Sequence, residues 1–419
     1  MTLCTTIMSV AEHREVRMAI SYSRRSLFWA ATTILASTAL LPAYAEDPSP
    51  IKIGFILPYK GVWAAPVENI DRGFRVALSE FNGKVAGRPI EVVRADDELT
   101  PNVAVQRFNK LVQLDKVDVV AGGVSSSVAI ALGELADRNK KPLVLTNAHA
   151  DEITGKLCSP YVARTSFSAN GFQYGAGQYW AKKGIKKIVT MGADYSAGHS
   201  FLDAFKRGFE DGGGQVVQQI WTPFQKTKDW SAALSQASNS GAEFIYGYYS
   251  GSEAVQVVKQ HADFGLREKM PLIGDQWLYD EVGWPALGDL VFGARFIASY
   301  LPGAESEANK KFVAAYRKMF NEDPDVNAAM GYDNGKTIML TLEKLGGKIP
   351  EDASQFTAAL RTVSFDAPRG KIRFNASGSA LLEKEYFVEL VRGADGKPQR
   401  KLVDEFPGGD DLPGCTKTF

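Results

Sequence analysis

From Ile51 onward, short β-branched runs alternate with stretches of helical periodicity, and this restricts the chain to parallel sheet covered by helices on both sides. Ile51 to Leu57, Ile90 to Arg94, Val117 to Ala121 and Leu143 to Thr146 read as a first series of strands. The helix after the first strand is the clearest, with Ile70, Phe74, Ala77, Leu78 and Phe81 on one face and Asn82-Gly83 as its stop. A second series begins after Arg164, with strands at Lys187 to Met191, Val216 to Ile220, Phe244 to Tyr249 and Leu272 to Gly274. Its helices are expected around Phe172 to Lys183, Phe201 to Asp211, Trp230 to Ser238 and Glu253 to Phe264. The fold class is therefore α/β, as two doubly wound units in succession. A less regular tail follows: helices at Asn309 to Phe320 and Ala328 to Leu345, strands at Lys371 to Phe374 and Tyr386 to Val391, and a Pro/Gly-rich end at Pro407 to Gly414. No solenoid repeat or low-complexity tract interrupts this order.

One turn carries a chemical signal. In Val119-Val120-Ala121-Gly122-Gly123-Val124-Ser125-Ser126-Ser127-Val128-Ala129 an apolar strand passes through two glycines into serines that open a helix. Such a turn sits at the carboxyl end of a strand, where open α/β sheets bind ligands, and offers backbone N–H groups and hydroxyls to an anion. Taken alone, it is equally compatible with Ser125 or Ser126 acting only as a helix cap.

The N-terminus reads as a secretory signal. Arg24-Arg25 precede an apolar stretch from Leu27 to Leu41, and Ala43-Tyr44-Ala45 supplies a small-x-small cleavage pattern, so cleavage is expected after Ala45. Met18 would give a signal of ordinary length, which marks residues 1–17 as a candidate misassigned start. Ser23 to Leu27 resembles a twin-arginine signal as well as an ordinary Sec signal. Without residues 1–45 the chain holds 44 basic and 46 acidic residues. That balance lacks the basic excess of a nucleic-acid binder. Cys4 leaves with the signal, and Cys158 and Cys415 remain as one pair in an oxidising compartment, which predicts one disulfide tying the tail to the body.

Catalytic chemistry is poorly supplied. His149, His199 and His261 stand apart, and no HExxH, GxSxG, Walker A loop or CxxC occurs. Asp96-Asp97-Glu98, the densest carboxylate run, reads as a solvated turn before Pro101, and Gly212-Gly213-Gly214 as a helix stop. No enzyme activity, metal or cofactor is expected.

Taken together, these features resemble the solute-binding proteins of ABC transporters, in their type I, leucine/isoleucine/valine-binding-like branch. The resemblance runs through Ile51 to Gly54, Gly61 to Gly73, Ala95-Asp96-Asp97 with Pro101, Gly122 to Ser127, Pro142 to Ala148, Tyr161 to Thr165, Asp194-Tyr195 with Gly198, and Tyr332-Asp333. It implies two lobes joined by three hinge crossovers that close on a ligand. The first lobe would comprise residues 46–166 and 297–375, the second 167–296 and 376–419. The protein would be a periplasmic monomer serving membrane permease subunits. Carried over, Ser125, with Ser126 beside it, holds a ligand carboxylate, Ala148 and His149 supply further donors, Tyr195 faces the cleft from the second lobe, and Trp63 packs on the ligand's apolar part. Core aromatics are the plain alternative for Trp63 and Tyr195.

One departure bears on the ligand. Amino-acid binders of this family place a glutamate after a second-lobe strand to meet the ligand ammonium, whereas Leu272-Ile273-Gly274 leads here into Asp275-Gln276-Trp277. A neutral amide at Gln276 cannot offset a buried ammonium. Aromatic residues crowd the expected cleft loops at Trp63, Tyr195, Tyr248, Tyr249, Trp277 and Tyr279. The expected ligand is an aromatic carboxylate of the benzoate or phenylpropenoate kind, with Gln276, Asp275 or a tyrosine at its far end. A branched-chain or other amino acid, with Asp275 meeting the ammonium, is the alternative ligand, and a ligand-sensing module of a receptor or regulator the alternative class.

Overall fold

The computed structural model describes residues 49–417, so the signal segment and its cleavage site lie outside the described residues. The strands of the first sheet are β1 (Ile51–Leu57), β2 (Lys84–Val85), β3 (Arg88–Asp96), β4 (Val119–Gly122), β5 (Leu143–Leu145) and β6 (Val162–Arg164), in the order β2-β3-β1-β4-β5-β6. All pairs are parallel except β2 with β3. The second sheet takes β7 (Lys187–Asp194), β8 (Gln215–Pro223), β9 (Phe244–Tyr248), β10 (Leu272–Asp275) and β11 (Arg295–Ala298). After a small hairpin, β12 (Phe365–Ala367) with β13 (Gly370–Ile372), it is completed by β14 (Lys384–Arg392) and β15 (Pro398–Pro407). Its order is β15-β14-β11-β10-β9-β7-β8; β14 runs antiparallel to both of its neighbours, β11 and β15, and the other pairs are parallel.

Helices cover both sheets. In the first lobe α1 (Ala64–Glu80), α2 (Pro101–Gln113) and α3 (Ser126–Asn139) alternate with the strands; in the second, α4 (Ala169–Lys182), α5 (Ser196–Asp211), α6 (Ser231–Ser238), α7 (Gly251–Asp263) and the short α8 (Trp284–Leu287) do the same. The chain then returns, and α9 (Glu307–Phe320), α10 (Val326–Lys344) and α11 (Ser354–Arg361) pack on the first lobe. α1 buries Ile70, Phe74 and Ala77, as its periodicity requires, and stops at Asn82 and Gly83, both at positive φ. Each lobe holds one helix pair at glycine-to-backbone distance. A Cβ on Gly73 of α1 would come 1.9 Å from the Ala328 carbonyl of α10, and one on Gly208 of α5 would come 2.0 Å from that of Tyr174 in α4. Gly212 and Gly213 end α5 as expected.

Two anchors hold the C-terminal tail. Cys158 and Cys415 form a disulfide with Cα atoms 5.6 Å apart. The buried Arg164 guanidinium binds Ser379 Oγ at 2.7 Å, the Ala150 carbonyl at 2.9 Å and Asp411 at 3.1 Å. The landmark Asp333 is structural: buried in α10, it pairs with Arg369 at 2.7 Å. Among the described residues no helix is long and apolar enough to cross a membrane.

Candidate functional site

A small cavity lies where loops at the carboxyl ends of strands from both sheets face each other. Its apolar wall is Trp63, Leu99, Val124, Ala197, Phe224 and Trp277; Ser125, Ser126, Asn147, His149, Tyr195 and Tyr248 complete it. These twelve residues include six aromatic rings, counting imidazole, and no Asp, Glu, Lys or Arg.

The serine turn is built by its glycines. Gly122 has φ +113°, and a Cβ there would meet the Ile56 carbonyl at 2.0 Å, so only glycine lets β4 bend away beside β1. Ser125 then stands before α3 in extended conformation, and its side chain makes no cap hydrogen bond. Ser125 is 4% exposed, and its Oγ has no partner among the described residues. A buried hydroxyl without a partner costs about 1–3 kcal/mol, which marks it as a group held ready for one. Ser126 serves the fold instead: its Oγ accepts from the backbone N–H of His149 at 3.2 Å and of Ala150 at 3.1 Å.

His149 sits in an aromatic nest, 4.7 Å from the ring centroids of both Phe167 and Trp277 and 5.4 Å from Phe201. Its Nδ1 lies 2.9 Å from the Phe167 carbonyl and its Nε2 2.7 Å from the Asn147 carboxamide. Burial pushes its pKa down to about 3; the Phe167 carbonyl opposes this, and the charges of Arg164 and Arg369 add to it. The ring is therefore neutral at ordinary pH and carries a single N–H, enough to donate to one of these two oxygens. Ala148 is buried and outside the wall, and its carbonyl accepts from Ser166 Oγ.

From the second lobe, Tyr195 stacks on Phe224 at 4.1 Å and 7°, and its hydroxyl lies 3.2 Å from that of Tyr248. Trp63 lines the cavity from the first lobe and donates its Nε1 proton across the cleft to Ser250 Oγ at 3.0 Å. Trp277 also lines the cavity; its buried Nε1 has no partner among the described residues.

Asp275 and Gln276 lie outside the wall. Asp275 is fully buried at the end of β10, accepting from Gln173 Nε2 at 2.9 Å and from the Trp277 backbone at 3.0 Å. Burial raises its pKa well above the ordinary carboxylate value. Gln276 Oε1 accepts from the backbone N–H and hydroxyl of Ser299, at 2.8 and 3.1 Å. The reading of Asp96-Asp97-Glu98 as a solvated turn is corrected in part. Asp96 and Asp97 do accept turn bonds from Glu98 N and Leu99 N, yet Asp97 is wholly buried because Leu99, two residues on, turns into the cavity wall.

Phe224, Leu99, Val124, Asn147 and Ala197 are wall residues that sequence reasoning missed. Each follows a strand of its sheet by a few residues, and that position was their only signal.

The sequence profile of the periplasmic binding protein family matches residues 50–397. The chain belongs to that family. Leu/Ile/Val-binding protein homolog 6 of Brucella melitensis biotype 1 is 29% identical over 391 residues, 92% of this chain and 98% of its own. An ABC-transporter solute-binding protein of R. palustris, solved in complex with benzoate, is 32% identical with a TM-score of 0.80, spanning 88% of this chain and all of its own. A second from R. palustris, in complex with 4-hydroxybenzoate, is 28% identical with a TM-score of 0.81, spanning 86% and 98%. As a periplasmic binding protein, this chain is the solute-binding component of an ABC transporter, not an enzyme. Membership of the family implies the periplasm as its compartment and membrane permease subunits as its partners.

Proposed function

We propose that the protein captures an aromatic carboxylate lacking an ammonium group, of the benzoate or phenylpropenoate type, and delivers it to its importer by hinge closure. The single observation that carries this reading is the wall: many rings, a serine hydroxyl awaiting a partner, and no carboxylate to meet an ammonium. An unpaired buried charge costs several kcal/mol, so an amino acid would lose more here than its side chain gains. The R. palustris relatives that bind benzoate and 4-hydroxybenzoate support the same ligand class.

In this reading Ser125 and the start of α3 hold the carboxylate, Trp63 and Trp277 flank the ring, and the Tyr195–Tyr248 hydroxyl pair meets a polar substituent at the far end. The lobes that close are residues 46–166 with 297–375 and 167–296 with 376–419, after signal cleavage behind Ala45, and the protein acts as a monomer.

The test is a thermal-shift screen of the mature chain, refolded free of carried-over ligand, with cinnamate against phenylalanine and 4-hydroxybenzoate against leucine. A ligand that binds only the native state raises the melting temperature with its concentration over Kd. The aromatic acids are expected to stabilise and the amino acids to leave the transition unmoved. Stabilisation by leucine or phenylalanine, lost in Asp275→Asn, would overturn the reading and show that Asp275 turns toward the cleft to meet the ammonium.

A further inference from the structure

Two helices from different lobes begin at this cavity. α3 starts at Ser126 behind Ser125 in the first lobe, and α5 at Ser196 behind Tyr195 in the second; neither preceding side chain caps its helix, and neither first turn holds an acid. The two starts come together closely, with Ser127 Oγ 3.2 Å from Ser196 Oγ. Each start carries unpaired N–H groups and roughly half a positive charge, so shutting the cleft brings like charge against like.

The surroundings do not cancel that charge. α7, which also begins near the cleft behind Ser250, holds Glu253 in its own first turn. Asp194, just before α5, is exposed and faces His199 Nε2 at 2.8 Å. Glu152 of the first lobe accepts from Ser200 Oγ at 3.3 Å, one turn further along α5. The buried, unpartnered Ser125 Oγ is the independent sign that a ligand belongs beside the start of α3.

We propose that the ligand's carboxylate sits between the starts of α3 and α5 and that its negative charge, rather than burial of its ring, holds the cleft shut. This rests on the carboxylate reading given above. A neutral ligand of the same shape would occupy the first lobe without closing the second onto it. An anion placed on the protein itself at this point would close the cleft with no ligand at all.

Small-angle X-ray scattering of the full mature chain tests this, with benzoate and its neutral isostere benzamide as probes and with the ligand-free variants Ser196→Asp and Ser196→Asn. Benzoate is expected to contract the particle, and benzamide to bind about tenfold more weakly and, at saturation, to leave it as expanded as the ligand-free protein. Ser196→Asp is expected to contract without ligand and Ser196→Asn to stay expanded. Equal contraction by saturating benzamide would overturn the charge lock. So would a folded Ser196→Asp that stays expanded, or a ligand-free wild type already as compact as the complex. If benzoate does not bind, the carboxylate reading fails, and Ser196→Asp still decides the lock by itself. Should that variant not fold, Ser127→Asp places the same charge on the α3 side.

Discussion

At the cleft, α3 and α5 begin without an acid of their own, whereas where the loop after β10 meets α10 the protein packs three, Asp280, Glu281 and Asp325, with oxygens within 4.8 Å of one another. Every one of those three is engaged. Asp325 caps α10 by accepting from Ala328 N at 2.8 Å and takes Asn69 Nδ2 at 2.9 Å. Asp280 accepts from Val282 N at 2.9 Å and, across the lobes, from Asn327 Nδ2 at 2.7 Å. Glu281 pairs with the buried guanidinium of Arg400. Both junctions join the lobes, but only one carries anions supplied by the chain. The start of α10 receives its anion from the chain, and on the function proposed above those of α3 and α5 are left for the ligand to complete.

The largest way to break this contrast is to remove the built-in anion. Asp325→Ala deletes the α10 cap and takes from Asn69 Nδ2 its carboxylate partner, and should lower unfolding free energy by about 3–5 kcal/mol. In the same denaturation and calorimetry experiments Ser125→Ala should do the reverse, leaving stability within about 0.5 kcal/mol while weakening the carboxylate by about 1–3 kcal/mol. A Ser125→Ala protein that unfolds early but binds normally would show that serine to be a cap after all.

Asp97 sharpens the contrast, because it is a buried acid at the cleft's edge with one oxygen lacking a partner among the described residues. Burial, helped by the charges of Asp96 and Glu98 and opposed by the Leu99 N–H, raises its pKa to about 7. The folded carboxyl thus keeps its proton at pH values where an unfolded one, near 3.9, has lost it. Its stabilising share is full below about pH 4 and fades as pH rises toward 7. Asp97→Asn should therefore be near neutral at pH 4 and gain on the order of 4 kcal/mol by pH 8, flattening the stability curve between them. An unchanged curve would mean that Asp97 ionises freely.

How much of this was legible in the sequence follows from range. Most of the parallel strands and α1, α3, α5 and α7 were readable because period and end signals are local. Several elements left no such trace. β15 is an antiparallel, half-solvated strand of mostly polar residues, β6 is only three residues long, and β11 and α11 are short and weakly patterned. The serine turn was visible for the same local reason. What Asp275, Gln276 and His149 do was not, since it depends on Gln173, Ser299, Phe167 and Trp277, which only folding brings near. Gln276 was singled out as the residue standing where an ammonium partner would be. The structure places it behind the wall on Ser299, so the lack of an acid is a property of the whole cavity rather than of that one amide.

The smallest expected effect is a flat line, and it tests whether the cleft leaves all the charge to the ligand. Among the residues of the wall, His149 alone titrates near neutral pH in free solution, and its pKa is pushed down to about 3. A group depressed that far stays neutral from pH 6 to 8.5, where an ordinary carboxylic acid, with a pKa near 4, is already ionised. Affinity for benzoate should then stay constant within about twofold across that window, and calorimetry in buffers of different ionisation enthalpy should record no proton uptake. If an imidazolium at His149 held the carboxylate instead, binding would draw in a proton, and affinity would climb by up to about tenfold for each unit the pH falls below the bound ring's pKa. A slope of that kind would give the first lobe a cation of its own, leave the start of α3 with less to do, and reduce the cleft to a second version of the Asp325 junction, with its charges supplied from within.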